Sequence, residues 1–143
     1  MGDRTLREVT NLIKLQASVG KVLHFCVSAG AATADFDGQM WIADNDYELI
    51  DSAERHQTAG AAANIQVFKV PSGTAKASGT NMLSTAGHSA AGTADTVNTI
   101  TATTTLANAR VTRGDSIAIV LSAASAALDG VTVTVRLKAI SSP

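Results

Sequence analysis

The chain has few of the residues that form crosslinks or stacking platforms. Its 143 residues contain one cysteine, Cys26, so neither a disulfide within the chain nor a multi-cysteine zinc site can form. We interpret Cys26 as a structural thiol, because it lies in an apolar segment with nothing nearby to activate it. Aromatic residues make up 3% of the chain. Sites that stack sugars or single-stranded nucleic acid use several aromatic rings, so this scarcity weighs against both.

Charged residues are also scarce. They make up 16% of the chain, against about 25% in typical domains. The net charge of -1 gives no electrostatic reason to expect nucleic acid or an anionic membrane as a partner. No apolar run approaches the ~20 residues that a membrane-spanning helix needs. The polar start Met1–Thr5 is not followed by the apolar core of a signal peptide, so we expect the protein to be made in a cytoplasm.

The sequence contains no recognisable catalytic, cofactor or metal motif. His24, His56 and His88 lack the spacing that puts two ligands on one helical face. Glu54 and His56 would share one face of a strand, and we interpret them as a structural hydrogen bond rather than an acid–base or metal pair. Asp44–Glu48 carries oxygens at alternate positions but lacks the glycine and distant glutamate of an EF-hand, which indicates a polar turn. We therefore expect no enzyme activity, cofactor or metal.

The last third of the chain has the pattern of antiparallel strands. β-branched residues dominate from Gly92 to Ala139, and turn residues interrupt them at short intervals. One such turn is Arg113-Gly114-Asp115, which we interpret as turn chemistry rather than as an adhesion signal. The clearest half-buried strand is Val131–Ile140, because its side chains alternate. The side chains predicted to face one way are Val131, Val133, Val135 and Leu137, and those predicted to face the other way are Thr132, Thr134, Arg136 and Lys138.

About eight short strands separated by turns predict an all-β fold, a jelly-roll-like antiparallel β-sandwich with few helical residues. Within Tyr47–Gln57, Leu49, Asp51 and Ala53 are predicted on one face, and Ile50, Ser52 and Glu54 on the other. The turns are predicted at Asp35–Gly38, Asp44–Asp46, Thr58–Ala62 and Pro71–Gly73. The strand segments are Lys21–Val27, Met40–Ala43, Tyr47–Gln57, Asn64–Val70, Met82–Leu83, Val97–Thr105, Asn108–Thr112, Asp115–Leu121 and Val131–Ile140.

The N-terminal segment has two interpretations. Leu6, Val9, Ile13 and Gln16 could share a helical face, whereas Val9, Asn11, Ile13 and Leu15 alternate as a strand would. Ala17–Gly20 has the small residues of a linker. Residues 1–20 are therefore either an arm that packs on a neighbour or the first element of the same core, and residues 21–143 form the β-sandwich domain.

Most of the chain resembles a known family of virion proteins. The order and spacing of its turn and strand residues are similar to those of small structural proteins of tailed bacteriophages, in particular capsid decoration (cement) proteins. The resemblance covers about residues 40–139, and the first forty residues match least well. The segments that carry it are Glu54–Gly60, Asn64–Lys69, Pro71–Ala75, Ser78–Thr80, Gly92–Val97, Leu106–Val111, Arg113–Ile117 and Leu128–Val135.

The resemblance implies a jelly-roll-like domain, commonly a homotrimer, that stands on the outside of an icosahedral head and bridges neighbouring capsid subunits. We therefore expect a decoration protein that is made in the host cytoplasm, is located on the capsid surface of the virion and has the major capsid protein as its partner. The low content of charged residues agrees with this expectation, since a weakly charged surface favours contact with other protein. The candidate capsid contacts are Leu6, Val9, Leu12, Ile13, Leu15, Asp44, Asp46, Pro71 and Ser72.

Two other functions follow from different features. A tail or fibre module that binds a host-surface glycan would need a groove with an exposed Trp41 or Tyr47. A sugar-processing enzyme of the cupin type would need a cluster of histidines and carboxylates, of which the sequence offers only Glu54 and His56 as a start. We rank the decoration protein first, the glycan-binding module second and the enzyme last.

Overall fold

The computed structural model describes residues 20–27, 36–60, 63–122 and 128–140, so the N-terminal segment 1–20, predicted as an arm or a first core element, lies outside the described part except for Gly20. Two short helical segments, a 3-10 turn at Lys76–Ser78 and the helix α1 at Leu106–Ala109, accompany the strands. The ten strands in the described residues are β1 (Lys21–Val27), β2 (Phe36–Ile42), β3 (Tyr47–Arg55), β4 (Asn64–Val70), β5 (Thr80–Asn81), β6 (His88–Ser89), β7 (Asn98–Ile100), β8 (Arg110–Val111), β9 (Ser116–Ser122) and β10 (Val131–Ala139).

The strands form two antiparallel five-stranded sheets. Sheet A has the order β1-β10-β3, with β7 and β8 both on the far side of β3. Sheet B has the order β2-β9-β4, with β5 and β6 both on the far side of β4. The first four strands thus pair with the later ones in reverse order: β1 with β10, β2 with β9, β3 with β7 and β8, and β4 with β5 and β6. A long hairpin rolled up in this way is a jelly roll, and the predicted fold is confirmed.

The core lies between the two sheets and follows the alternation of the strands. In β10 the four apolar side chains predicted to share a face are all buried, while Arg136 and Lys138 are exposed. Sheet B contributes the other half of the core from its two central strands, β9 and β4. Its buried side chains there include Ile117, Ile119, Leu121, Ile65 and Val67.

The predicted faces of β3 are wrong in its second half. Leu137 of β10 pairs with Leu49, and Arg136, the residue before it in β10, pairs with Asp51. Ile50, which lies between Leu49 and Asp51, is therefore an extra residue in the ladder. Such a bulge moves every later side chain to the opposite face. Leu49 therefore shares the buried face with Ser52 and Glu54, while Ile50 is exposed. The bulge places a carboxylate inside the sandwich.

Several predicted boundaries also differ from the structure, among them the following two. The segment Asp35–Gly38 was predicted as a turn, but β2 begins at Phe36 and contains a register irregularity between Asp37 and Met40. A glycine within a strand often accompanies such a bulge, which explains why Gly38 resembles a turn signal. The predicted strand Val97–Thr105 shrinks to Asn98–Ile100, because the chain then turns through α1 into β8.

Gly20 makes a close backbone approach at the start of β1. A Cβ atom added there would collide with the carbonyl oxygen of Leu137. We expect Gly20→Ala to lower the free energy of unfolding by about 1–3 kcal/mol, as overpacking against a fixed backbone does. Urea unfolding followed by the fluorescence of the one tryptophan, Trp41, measures this loss.

Gly92→Ala is the matched control for this prediction. A Cβ atom at Gly92 would make only an ordinary contact of 3.4 Å with the side chain of Asn98. A loss at Gly20 no larger than the loss at Gly92 would contradict the proposed close approach.

Candidate functional site

The described contact candidates come together at one end of the sandwich. Ser116, the first residue of β9, pairs with Ile42 at the end of β2 and with Val70 at the end of β4. The loops that follow these strands, Ala43–Asp46 and Pro71–Gly79, therefore lie at the same end as the turn Thr112–Asp115. We call this the N-terminal end, because Gly20 joins β1 there. It carries the candidates Asp44, Asp46, Pro71 and Ser72, whereas Leu6, Val9, Leu12, Ile13 and Leu15 lie outside the described residues.

A charged and aromatic cluster, the Lys21 latch, fixes this end. The Lys21 ammonium donates to Oδ2 of Asp44, and the Tyr47 hydroxyl donates to Oδ1 of the same carboxylate at 2.7 Å. The ammonium nitrogen lies 5.5 Å from the ring centre of Trp41 and 5.8 Å from that of Tyr47. A cation over aromatic faces is attracted by their π-electrons. The latch therefore ties β1 to the β2–β3 loop and joins sheet A to sheet B.

The latch shifts the titration of its members. The hydrogen bond from Lys21 holds the pKa of Asp44 below its usual value of 3.8, and the same bond raises the pKa of Lys21 above 10.5. Burial, followed by the bond to Asp44, raises the pKa of Tyr47 above 10.0. A lowered carboxyl pKa gives stability that is present above pH 3.8 and is lost as the pH falls through the lower folded value. A raised lysine pKa gives stability that is lost only as the pH rises above 10.5.

We therefore expect the latch to stay closed from about pH 4 to pH 10.5. Replacing Lys21 by methionine removes the ammonium that donates to Asp44, and it should raise the pKa of Asp44 toward 3.8. Carboxyl-carbon NMR through an acid titration measures this value in both proteins. Asp51 is the control carboxylate, because its pKa is lowered by Arg136 and should not change in the Lys21 variant. An Asp44 titration that is the same in both proteins would contradict the latch.

The two aromatic residues of the latch are used in packing. Tyr47 is 4% exposed, and Trp41 is half-buried against the core with its ring edge-on to that of Tyr47 at 5.5 Å. A glycan platform needs an open ring face. The geometry of these two residues therefore favours the decoration protein over the glycan-binding alternative.

Large apolar side chains are exposed near the N-terminal end, beside small and polar ones. Ile42 is 66% exposed beside loops that carry serine, glycine, alanine and threonine. The segment Arg113–Asp115 forms a turn, as predicted, with Gly114 at φ +92. That turn is held by the amide of Gly114, which donates to the carbonyl of Ala43, and by the amide of Arg113, which donates to Asp46. Two of the loops at this end, Ala43–Asp46 and Thr112–Asp115, are thus bonded to each other.

A second polar cluster lies at the opposite end of the sandwich. Nδ1 of His56 is 2.9 Å from Oε2 of Glu54, which confirms the predicted hydrogen bond. Nδ2 of the Asn98 side chain donates to Oε1 of Glu54 at 2.7 Å, and Nε2 of His88 is 3.4 Å from that oxygen. Nε2 of His56 lies 3.2 Å from the carbonyl oxygen of Gly92. We call these residues the Glu54 cluster.

Sequence reasoning missed His88 and Asn98 as members of this cluster. Asn98 lies directly opposite Glu54 in the pairing of β7 with β3, and His88 reaches the carboxylate from the other sheet. Only the register of distant strands brings them together, and no local spacing indicates it.

The Glu54 cluster is not arranged as an open catalytic or metal site. The side chains of Glu54 and His56 are fully buried and bonded to each other. In the described residues, no group of three or more histidine, cysteine, aspartate or glutamate side chains could hold a metal ion. Among the same residues, none of the helices is long and apolar enough to cross a membrane.

A shallow depression of about 240 Å³ lies on the outer face of sheet A. Its charged residues, Asp51 and Arg136, already form a two-point ion pair, and the guanidinium holds the pKa of Asp51 below its usual range. Ala53, Thr99 and Thr134 also line the depression. This depression offers no uncompensated charge for a ligand.

No known family model matches the chain, and no curated protein or solved structure matches it.

Proposed function

We propose that this protein decorates the head of a tailed bacteriophage, binding the outside of the assembled capsid and stabilising it by bridging neighbouring capsid subunits. The resemblance of about residues 40–139 to decoration proteins supports this proposal, and the jelly-roll fold agrees with it. The partner would be the major capsid protein, and the decoration protein would act as a homotrimer on the virion surface.

The observation that carries the proposal is the meeting of the contact candidates at the N-terminal end. Asp44, Asp46, Pro71 and Ser72 lie on loops at this end, and residues 1–19 join the sandwich there at Gly20. A trimer would present this surface three times. Because linked contacts act together, the avidity of the trimer would exceed the affinity of any one contact.

The rigidity of this end supports the same assignment. The Lys21 latch and the hydrogen bonds between the loops Ala43–Asp46 and Thr112–Asp115 order this part of the surface before binding. A surface that is already ordered loses less conformational entropy when a partner binds. A subunit that binds only the assembled shell lowers the free energy of that shell by mass action.

Mixing the purified protein with expanded, undecorated heads of the phage that encodes it tests the function. We expect the protein to sediment with the heads and to raise the temperature at which they break open. Failure of the protein to bind, or binding with no gain in heat stability, would refute the decoration role.

Two matched variants test which end faces the shell. Ile42 is 66% exposed at the N-terminal end, and Val97 is 68% exposed before β7 at the opposite end. Ile42→Asp removes an apolar contact worth about 1.5–3 kcal/mol when buried, so head binding should weaken at least about tenfold. Val97→Asp should leave binding unchanged. The reverse order would show that the protein binds heads through its other end.

A further inference from the structure

The hydrogen bonds of the Glu54 cluster require a particular number of protons. Nε2 of His56 faces the carbonyl oxygen of Gly92 at 3.2 Å, and a carbonyl oxygen can only accept. Nε2 must therefore carry a hydrogen. Nδ1 of the same ring faces Oε2 of Glu54 at 2.9 Å. Without a second proton between these two atoms, their lone pairs would face each other inside the protein.

The surroundings of Glu54 indicate where this second proton lies. Oε1 already accepts from the amide of Asn98 at 2.7 Å, and Oε2 faces His56. The hydrogen bond that the Asn98 side chain donates to Oε1 favours the ionised carboxylate. A buried carboxylate also needs a compensating charge, which a doubly protonated ring of His56 supplies.

We propose that the Glu54 cluster is a proton-dependent clasp, in which His56 is held as an imidazolium between Glu54 and the carbonyl of Gly92. The clasp joins the end of β3 to β7 and to the β6–β7 loop, and His88 approaches it from sheet B. It lies at the end opposite the proposed capsid surface, and it does not depend on the decoration role.

Few other titratable groups of the described residues face the clasp. From β6, Nε2 of His88 lies 3.4 Å from Oε1 of Glu54 without a hydrogen-bond partner. From β10, the residue opposite Glu54 is the apolar Val133. The nearby charges lie at the surface: Arg55 pairs with Asp95 at 3.1 Å, and Asp129 is exposed at the turn before β10.

Nitrogen-15 NMR of the histidine rings in the whole chain tests the clasp directly. At pH 7.5 we expect both ring nitrogens of His56 to carry protons, as the proposed clasp requires. Glu54→Gln removes the negative charge and should return His56 to a neutral ring. A bare ring nitrogen on His56 in the unaltered protein overturns the proposal, whatever the stability of the variant.

A second variant separates the roles of the two histidines. His88→Gln removes the ring from sheet B and leaves the contacts of His56 in place. His56 should keep both protons in this variant at pH 7.5. Loss of the second proton would mean that it belongs to the contact between His88 and Glu54, and would overturn the assignment to His56.

Discussion

We expect Glu54→Ala to lower the free energy of unfolding by about 3–5 kcal/mol, because in the proposed clasp it removes one member of a buried ion pair. Glu54 and His56 both have fully buried side chains, and the carboxylate also accepts from Asn98. The variant leaves the His56 ring and the Asn98 amide inside the sandwich without their acceptor. Urea unfolding at pH 7, followed by Trp41 fluorescence, measures the loss.

Asp95→Ala is the matched control for this prediction. Asp95 is also a carboxylate paired with a cation, Arg55, but both side chains are more than half exposed. An exposed pair contributes at most about 1 kcal/mol. The double variant Glu54→Leu/His56→Leu should recover much of the lost stability, because apolar residues can replace a buried pair without leaving a charge. Equal losses for Glu54→Ala and Asp95→Ala would contradict the buried pair.

Leu137→Ala should have the second large effect, a loss of about 2–5 kcal/mol. Leu137 is 1% exposed on β10, between β1 and β3, where it pairs with Lys21 and Leu49. Removing its side chain takes away buried apolar surface and leaves a cavity that neighbouring strands cannot close.

Leu106→Ala carries the same chemical change at a surface position. Leu106 is 53% exposed in α1, where alanine is also a good helix former. We expect this control to change the free energy of unfolding by less than about 0.5–1 kcal/mol. Urea unfolding of the two variants side by side gives the comparison, and similar losses would show that Leu137 is not a core position.

The sequence predicts those strands in which apolar and polar side chains alternate because only one face is buried. Val131–Ile140 is the best example, because each apolar residue of β10 points into the core and its polar neighbours do not. The second half of β3 could not be predicted in this way. Ile50 is an extra residue only with respect to the pairing of β3 with β10. The sequence of β3 alone gives no sign of the bulge.

The sequence predicts separate parts of the candidate site but not their arrangement in space. Two of the pieces, Asp44–Asp46 and Pro71–Ser72, are recognisable as turns from their own residues. Their position at one end of the molecule follows from the pairing of Ser116 with both Ile42 and Val70, which involves strands far apart in the sequence. The Glu54 cluster shows the same limit, since the local pair was predicted and its partners His88 and Asn98 were not.

The pairing of β1 with β10 also constrains how the molecule folds. Lys21 pairs with Leu137, so β1 cannot find its neighbour until β10 has been synthesised. Contacts between such distant residues require closure of a long loop before they gain any stability, and domains built from them fold slowly, in about milliseconds to seconds. We therefore expect this domain to complete its fold only after β10 has emerged from the ribosome, when β1 can pair with it.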